Sequence, residues 1–251
     1  MKTTIGILGI ALIATAASAM VRVHPTAETR KAVAAALANP ARADQAGDDA
    51  RRKAEDVLVF AGIGPRDQIV DLLPAAGYWT RIFSGVVGPR GVVYAWNPQA
   101  AAKYVEKTLP ALQALKLPNV VADLAPTNDL TLPKPVDLVF TSQNYHDIPN
   151  NGVGEAGLTR FNANVFKALK GGGSYIVIDH SAAAGTGLSA TETLHRIEKD
   201  VVIEQVTAAG FKFVGEIPVL ANRADDRLKN VFDPAIRGHT DQFVLKFRKP
   251  G

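Results

Sequence analysis

Apolar positions along the chain fall into two rhythms. Short runs rich in β-branched residues at 68–73 (QIVDLL), 92–95, 119–122, 136–141 (VDLVFT) and 174–179 (SYIVID) read as buried strands. Stretches with helical spacing separate them, at 78–87, 99–115, 158–169 and 191–209. Gly171-Gly172-Gly173 is expected to close the third of these and Gly210 the fourth. Upstream, Thr26 can cap a helix running through Ala36, and Asn39-Pro40 would stop it. Asp48 or Asp49 would start a second helix, ended by Gly62 and Gly64-Pro65. Its apolar Ala54, Val57, Leu58 and Ala61 follow the i, i+3, i+4, i+7 rule. Two alternating runs, 211–219 and 242–248, come last with no helix between them, so they should pair antiparallel. Strands alternating with helices and ending in such a pair predict an α/β fold. We expect a doubly wound, mostly parallel seven-stranded sheet with an antiparallel C-terminal strand.

The first residues do not fit that scheme. Lys2 precedes an apolar run at 5–17, and Ala17-Ser18-Ala19 has the small-x-small form of a signal-peptidase site. The run is short for a membrane span, and an uncleaved anchor is the other reading. We therefore expect a signal peptide at 1–19 and a mature chain starting at Met20 without stable membrane insertion. The expected location is outside the inner membrane, in a periplasm. The rest divides into a helical N-terminal extension at 20–62 and an α/β domain at 63–251. With 251 residues, 47% of them hydrophobic, the chain can bury one sizeable core. The net charge of +4 is spread out, with short clusters only at Arg51-Arg52-Lys53 and Lys246 to Lys249. Without a basic stripe and interleaved aromatics, nucleic acid is not an expected partner. There are no cysteines, so thiolate ligands and a Cys nucleophile are excluded.

In a doubly wound sheet, ligands bind beyond the carboxyl ends of the strands. The turn after the first strand runs Asp71-Leu72-Leu73-Pro74-Ala75-Ala76-Gly77. A strand-ending acid, small residues and a helix start suit a nucleotide-like ligand, because helix N-terminal N–H groups are free to donate. An ordinary βα turn has the same look. After the fourth strand comes Ser142-Gln143-Asn144-Tyr145-His146-Asp147. Here His146 can serve as a general base with Asp147 to orient it; the other reading is a solvated polar turn. His180, after Asp179, is a second base candidate. His195 is expected to lie within a helix as a packing or surface residue, and His239 falls in the last polar loop. No histidine pair has the HxxxH spacing of a metal site, and no metal is expected. The charged loop 222–239 either covers the pocket and meets an acidic or polar substrate, or is an ion-paired surface loop.

The order of these parts resembles the class I S-adenosylmethionine (SAM) methyltransferases over roughly residues 55 to 250. The segments that carry the resemblance are VDLLPAAGYWT, GPRGVVYAWNP, VADLAPTNDLTLP, VDLVFTSQNYHD, ALKGGGSYIVIDH and AAGFKFVGE. SQNYHD and DDRLKNVFDPAIRGHTDQFVLKF further resemble a branch whose members often carry signal peptides. The resemblance implies a Rossmann-like fold, SAM as cofactor and a small-molecule substrate. It places Asp71 and Gly77 at the methionine end of SAM and Asn97 where the family has its ribose-binding acid. Asp123 to Asp129 would lie near the adenine. Asn144 joins the cofactor set, and Tyr145 would pack over the transferred methyl. The family's first turn has glycine at three alternate places, occupied here by Leu73, Ala75 and Gly77. A rival reading rests on that departure and on the amide at 97. It is an exported, non-catalytic binding protein that keeps the fold without the cofactor.

Overall fold

The computed structural model describes residues 26–150 and 152–251. The expected signal peptide and the start at Met20 lie outside the described residues. The helices are α1 (Ala27–Leu37), α2 (Ala54–Ala61), α3 (Tyr78–Val87), α4 (Ala102–Val105), α5 (Thr108–Ala114), α6 (Gly154–Ala168), α7 (Thr191–Leu194) and α8 (Lys199–Ala208). The strands are β1 (Gln68–Leu72), β2 (Val92–Asn97), β3 (Val120–Leu124), β4 (Val136–Ser142), β5 (Leu169–His180), β6 (Lys212–Glu216) and β7 (Gln242–Arg248). They form one seven-stranded sheet in the order β3-β2-β1-β4-β5-β7-β6. β1 pairs in parallel with β2 and β4, while β7 runs antiparallel to both β5 and β6. The predicted architecture is therefore present, with β7 inserted between its two neighbours.

Alternation along each strand sends side chains to two cores. Ile69, Val93, Phe140 and Ile176 meet Ile82 and Phe83 of α3, together with Val33, Val57 and Leu58 from the N-terminal helices. Val70, Val139 and Val177 meet Leu158 and Val165 of α6 and Val202 and Val206 of α8. Each such fully buried side chain contributes about 1.5–3 kcal/mol. The N-terminal helices are thus part of the first core. Lys246 of β7 ties them in further: its buried Nζ donates to the carbonyls of Phe60 and Ala61, both at 2.9 Å, at the open end of α2.

Several boundaries differ from the sequence pattern. Thr26 caps α1 as expected, accepting from the Thr29 amide. α2 begins at Ala54 rather than at Asp48 or Asp49, because Lys53 turns left-handed at φ 49° after a 3₁₀ turn. The stretch 99–115 splits into α4 and α5: Pro110 has no N–H to return to Glu106, so it fits only the first turn of a new helix. The triple glycine does not close α6 but lies inside β5. A Cβ at Gly173 would stand 3.0 Å from the Lys170 carbonyl and 3.1 Å from that of Asp137, so this glycine permits the close approach of β4 at its irregular register. The stretch 191–209 also breaks, at His195, where the chain turns back and Ile197 donates to the His180 carbonyl. Among the described residues, no helix is long and apolar enough to cross a membrane.

Candidate functional site

The β1–α3 turn keeps the conformation of a glycine turn without the glycines. Leu73 has φ 54°, Ala75 φ 49° and Gly77 φ 77°. Only the last is free of the Cβ cost of the left-handed region, about 1–2 kcal/mol for an L-residue. Such strain persists only where neighbours over-determine it. Two of those neighbours are visible. Asn144 Nδ2 donates to the carbonyls of Ser142 at 2.8 Å and Leu73 at 3.3 Å, tying the turn to the end of β4. Leu112 of α5 packs on Gly77, where a Cβ would stand 2.5 Å from Leu112 Cδ1. Asp71, in register with Ala95 and Phe140, is buried and accepts from Thr80 Oγ1 at 2.6 Å. Burial pushes its carboxyl up to about 7, with the Thr80 hydrogen bonds pulling the other way.

At the end of β2, Asn97 is buried and its Oδ1 has no hydrogen-bond partner among the described residues, nor does Trp96 Nε1 beside it. Its Nδ2 makes only long contacts, 3.4 Å each, to the Ala95 and Asp123 carbonyls. Asp123 pairs with Trp96 across the strands and is exposed. Asp129 is also exposed, but it accepts from Asn164 of α6 at 2.9 Å, which holds its carboxylate against that helix. On the other side of the turn, Arg51, Arg52, Trp79, Gln143 and Gln242 line a cleft of about 10 Å³, space for little more than one water. The N-terminal segment closes it over: Tyr78 donates to Asp49 at 2.7 Å, and the Arg52 guanidinium lies 4.5 Å from the Tyr78 ring centroid. A roomier cavity of about 240 Å³, lined by Lys170, Gly171 to Gly173 and Lys246, opens at the opposite, amino ends of the strands.

The histidines converge at the ends of β4 and β5. His146 Nδ1 lies 2.7 Å from Asp179 Oδ1, and the His146 amide donates to Asp179 Oδ2 at 2.7 Å. The His180 amide donates to the same carboxylate at 2.7 Å. Asp179 is fully buried; burial alone would raise its pKa, but the His146 ring and amide, with the His180 ring, outweigh that and hold it below the usual carboxylate range. An ionised Asp179 makes His146 Nδ1 the donor. For His146, burial works against the charge, but Asp179 and Asp147 win and raise its pKa. His180 differs: burial dominates and lowers it to about 4, and its Nδ1 pairs with Thr240 Oγ1 at 2.8 Å.

Three sequence expectations are corrected here. Tyr145 is completely buried, its hydroxyl accepts from Asn162 at 2.8 Å, and its ring belongs to the second core. A ring without free surface cannot pack over a transferred methyl. Asp147 does not orient His146; Asp179 does, and Asp147 lies on the other side of the ring, 3.4 Å from Nε2. His195 is not inside a helix. It takes φ 54° just after α7, which carries its ring to 5.4 Å from that of His146. Asp179 was missed although the Asp179-His180 pair at the end of β5 was legible as a ligand-side position. The loop 222–239 is ion-paired and anchored. Asp225 forms a buried pair with Arg196 at 2.9 Å, Arg227 meets Asp241 at 3.0 Å, and Phe232 packs on the His195 ring at 4.9 Å.

No protein-family model matches the chain, and no curated relative does. Solved structures do. A SAM-dependent methyltransferase from Aquifex aeolicus superposes with TM-score 0.54 at 16% identity, over 87% of this chain and 97% of its own. One from Clostridium acetobutylicum gives 0.52 at 13% identity, over 84% and 94%. The N-methyltransferase NodS from Bradyrhizobium japonicum gives 0.53 at 11%, over 85% and 99%. At such identities the likeness establishes the fold, which is that of the class I SAM methyltransferases.

Proposed function

We propose that this protein is an exported SAM-dependent methyltransferase acting on a small molecule. The observation that carries the reading is the β1–α3 turn, which holds positive φ at Leu73, Ala75 and Gly77 although two of these residues pay for it in strain. The residues around it suit the cofactor. Asn97 Oδ1 and Trp96 Nε1 are buried without partners among the described residues, and a buried polar atom left unpaired costs about 1–3 kcal/mol. A ribose hydroxyl donating to Asn97 would remove that cost once the side chains that cover the amide shift aside. Asn144 would hold the turn in place, and Asp123, exposed near the end of β3, would take the adenine side.

When bound, SAM supplies an electrophilic methyl group. The chain's own contribution is to position the acceptor and take its proton. His146 suits the second task, since Asp179 fixes its ring through Nδ1 and leaves Nε2 for the acceptor. The cleft of about 10 Å³ means that the segment around Asp49 and Arg52 must shift for a ligand to reach Trp79 and Gln143.

Calorimetric titration of the protein with SAM and S-adenosylhomocysteine tests the reading. Saturable binding, weakened about tenfold in Asn97→Ala, is expected. Absence of binding at millimolar ligand would overturn it and leave the non-catalytic binding protein. Export has its own check: N-terminal sequencing of protein recovered from the periplasm of a Gram-negative host should begin at Met20.

A further inference from the structure

The geometry points to a divalent transition-metal site, of the kind that takes Zn²⁺, formed by His146 Nε2, Asp147 and His195 Nδ1. One ligand atom from each residue lies within 4.8 Å of the others. Asp147 Oδ1 stands 3.4 Å from His146 Nε2 and 3.6 Å from His195 Nδ1. Charge-assisted hydrogen bonds between imidazole and carboxylate are shorter, about 2.7–2.9 Å. Tetrahedral coordination with bonds of about 2.1 Å separates neighbouring donors by about 3.4 Å. The two distances therefore match the edges of a coordination shell better than they match hydrogen bonds.

A second observation is independent of those distances. A ligating histidine characteristically donates its other ring N–H to a carboxylate, which fixes the tautomer and aims the free lone pair at the metal. Asp179 does this for His146 at 2.7 Å while itself fully buried and held by two backbone amides. His195 is aimed in a different way. It is a non-glycine residue at φ 54°, and Phe232 packs on its ring at 4.9 Å. The side chains of Asp147 and His195 stay 48% and 30% exposed, so solvent can reach the site and a coordination position is left open. Two imidazoles and one carboxylate with an open position is a donor set that suits Zn²⁺ and its neighbours rather than Mg²⁺ or Ca²⁺.

Metal binding stands apart from methyl transfer; only its use rests on the function proposed above. In the loaded protein His146 is a ligand and no longer the proton acceptor. A metal there would offer its open position to the acceptor's heteroatom and would favour the deprotonated form, the proton leaving to solvent.

The test is a Zn²⁺ titration of the chelator-stripped full-length protein by calorimetry, with Co²⁺ substitution to read coordination from the visible spectrum. We expect one saturable site with tetrahedral Co²⁺ bands. Binding and bands should be lost in Asp147→Ala and His195→Ala, whose partly exposed side chains make them mild for the fold, as thermal melts will check. Asp179→Asn should weaken binding by about 10–100-fold. Absence of saturable binding, or unchanged affinity in both alanine variants, overturns the site. S-adenosylhomocysteine titration of the same metal-free protein separates that failure from failure of the methyltransferase reading.

Discussion

His146 donates through Nδ1 to Asp179 at 2.7 Å, across a separation of 33 residues. Asp179 is buried and ionised, so the neutral imidazole carries its proton on Nδ1 and presents a lone pair at Nε2. Nitrogen-15 NMR of the metal-free protein should report that tautomer for His146, and Asp179→Asn should abolish the preference. Methyl transfer by the metal-free variant should drop about 10²–10⁴-fold relative to the metal-free wild type, with cofactor affinity little changed. A wild-type His146 protonated on Nε2 alone would contradict the pairing.

Ala75 is exposed and left-handed, at φ 49°. Glycine there removes the Cβ penalty, partly offset by greater freedom in the unfolded chain. Ala75→Gly should stabilise the protein by about 0.5–1 kcal/mol in urea unfolding. A lower midpoint would mean that the turn is relaxed as it stands.

Asp71 gives a pH signature. Its carboxyl is pushed up from 3.8 to about 7 by burial, so the folded state holds this proton more tightly than the unfolded chain. Its contribution is fully present below the unfolded pKa and is lost as pH rises through about 7. Asp71→Asn, which can still accept from Thr80, should remove the dependence. Relative to wild type it should gain up to about 4 kcal/mol between pH 4 and pH 8. Equal differences at both pH values would show a solvated carboxylate.

Asp225 is the counter-charge of Arg196, and both side chains are almost wholly buried. Asp225→Asn leaves the guanidinium short of a partner and should cost about 3–5 kcal/mol. The same change should loosen the loop carrying Phe232 and speed proteolysis within 222–239. A melting curve and digestion pattern like those of the wild type would mean that the pair does not anchor the loop.

The limits of the sequence are local and physical. Strand runs such as VDLVFT and the amphipathic face of α3 repeat at the period of the element they form, so β1, β4 and α3 were legible within a residue or so. The break at His195 was not, because residues 191–209 satisfy helical spacing. What interrupts them is pairing of Ile197 with the end of β5 and burial of Arg196 against the 222–239 loop. The run 171–173 reads as a stop because the use of Gly173, close approach to β4, is a contact between strands.

The chain's own pattern thus determined the α/β class, the order of its elements and the candidate turn, since these follow from periodicity and turn chemistry within a few residues. The tertiary structure decided which side chains meet. It turned Tyr145 into the core, set Asp179 rather than Asp147 behind His146, and brought His195 beside them. Those outcomes depend on backbone direction at the ends of β4, β5 and α7, where one left-handed residue redirects a side chain and leaves no periodic trace.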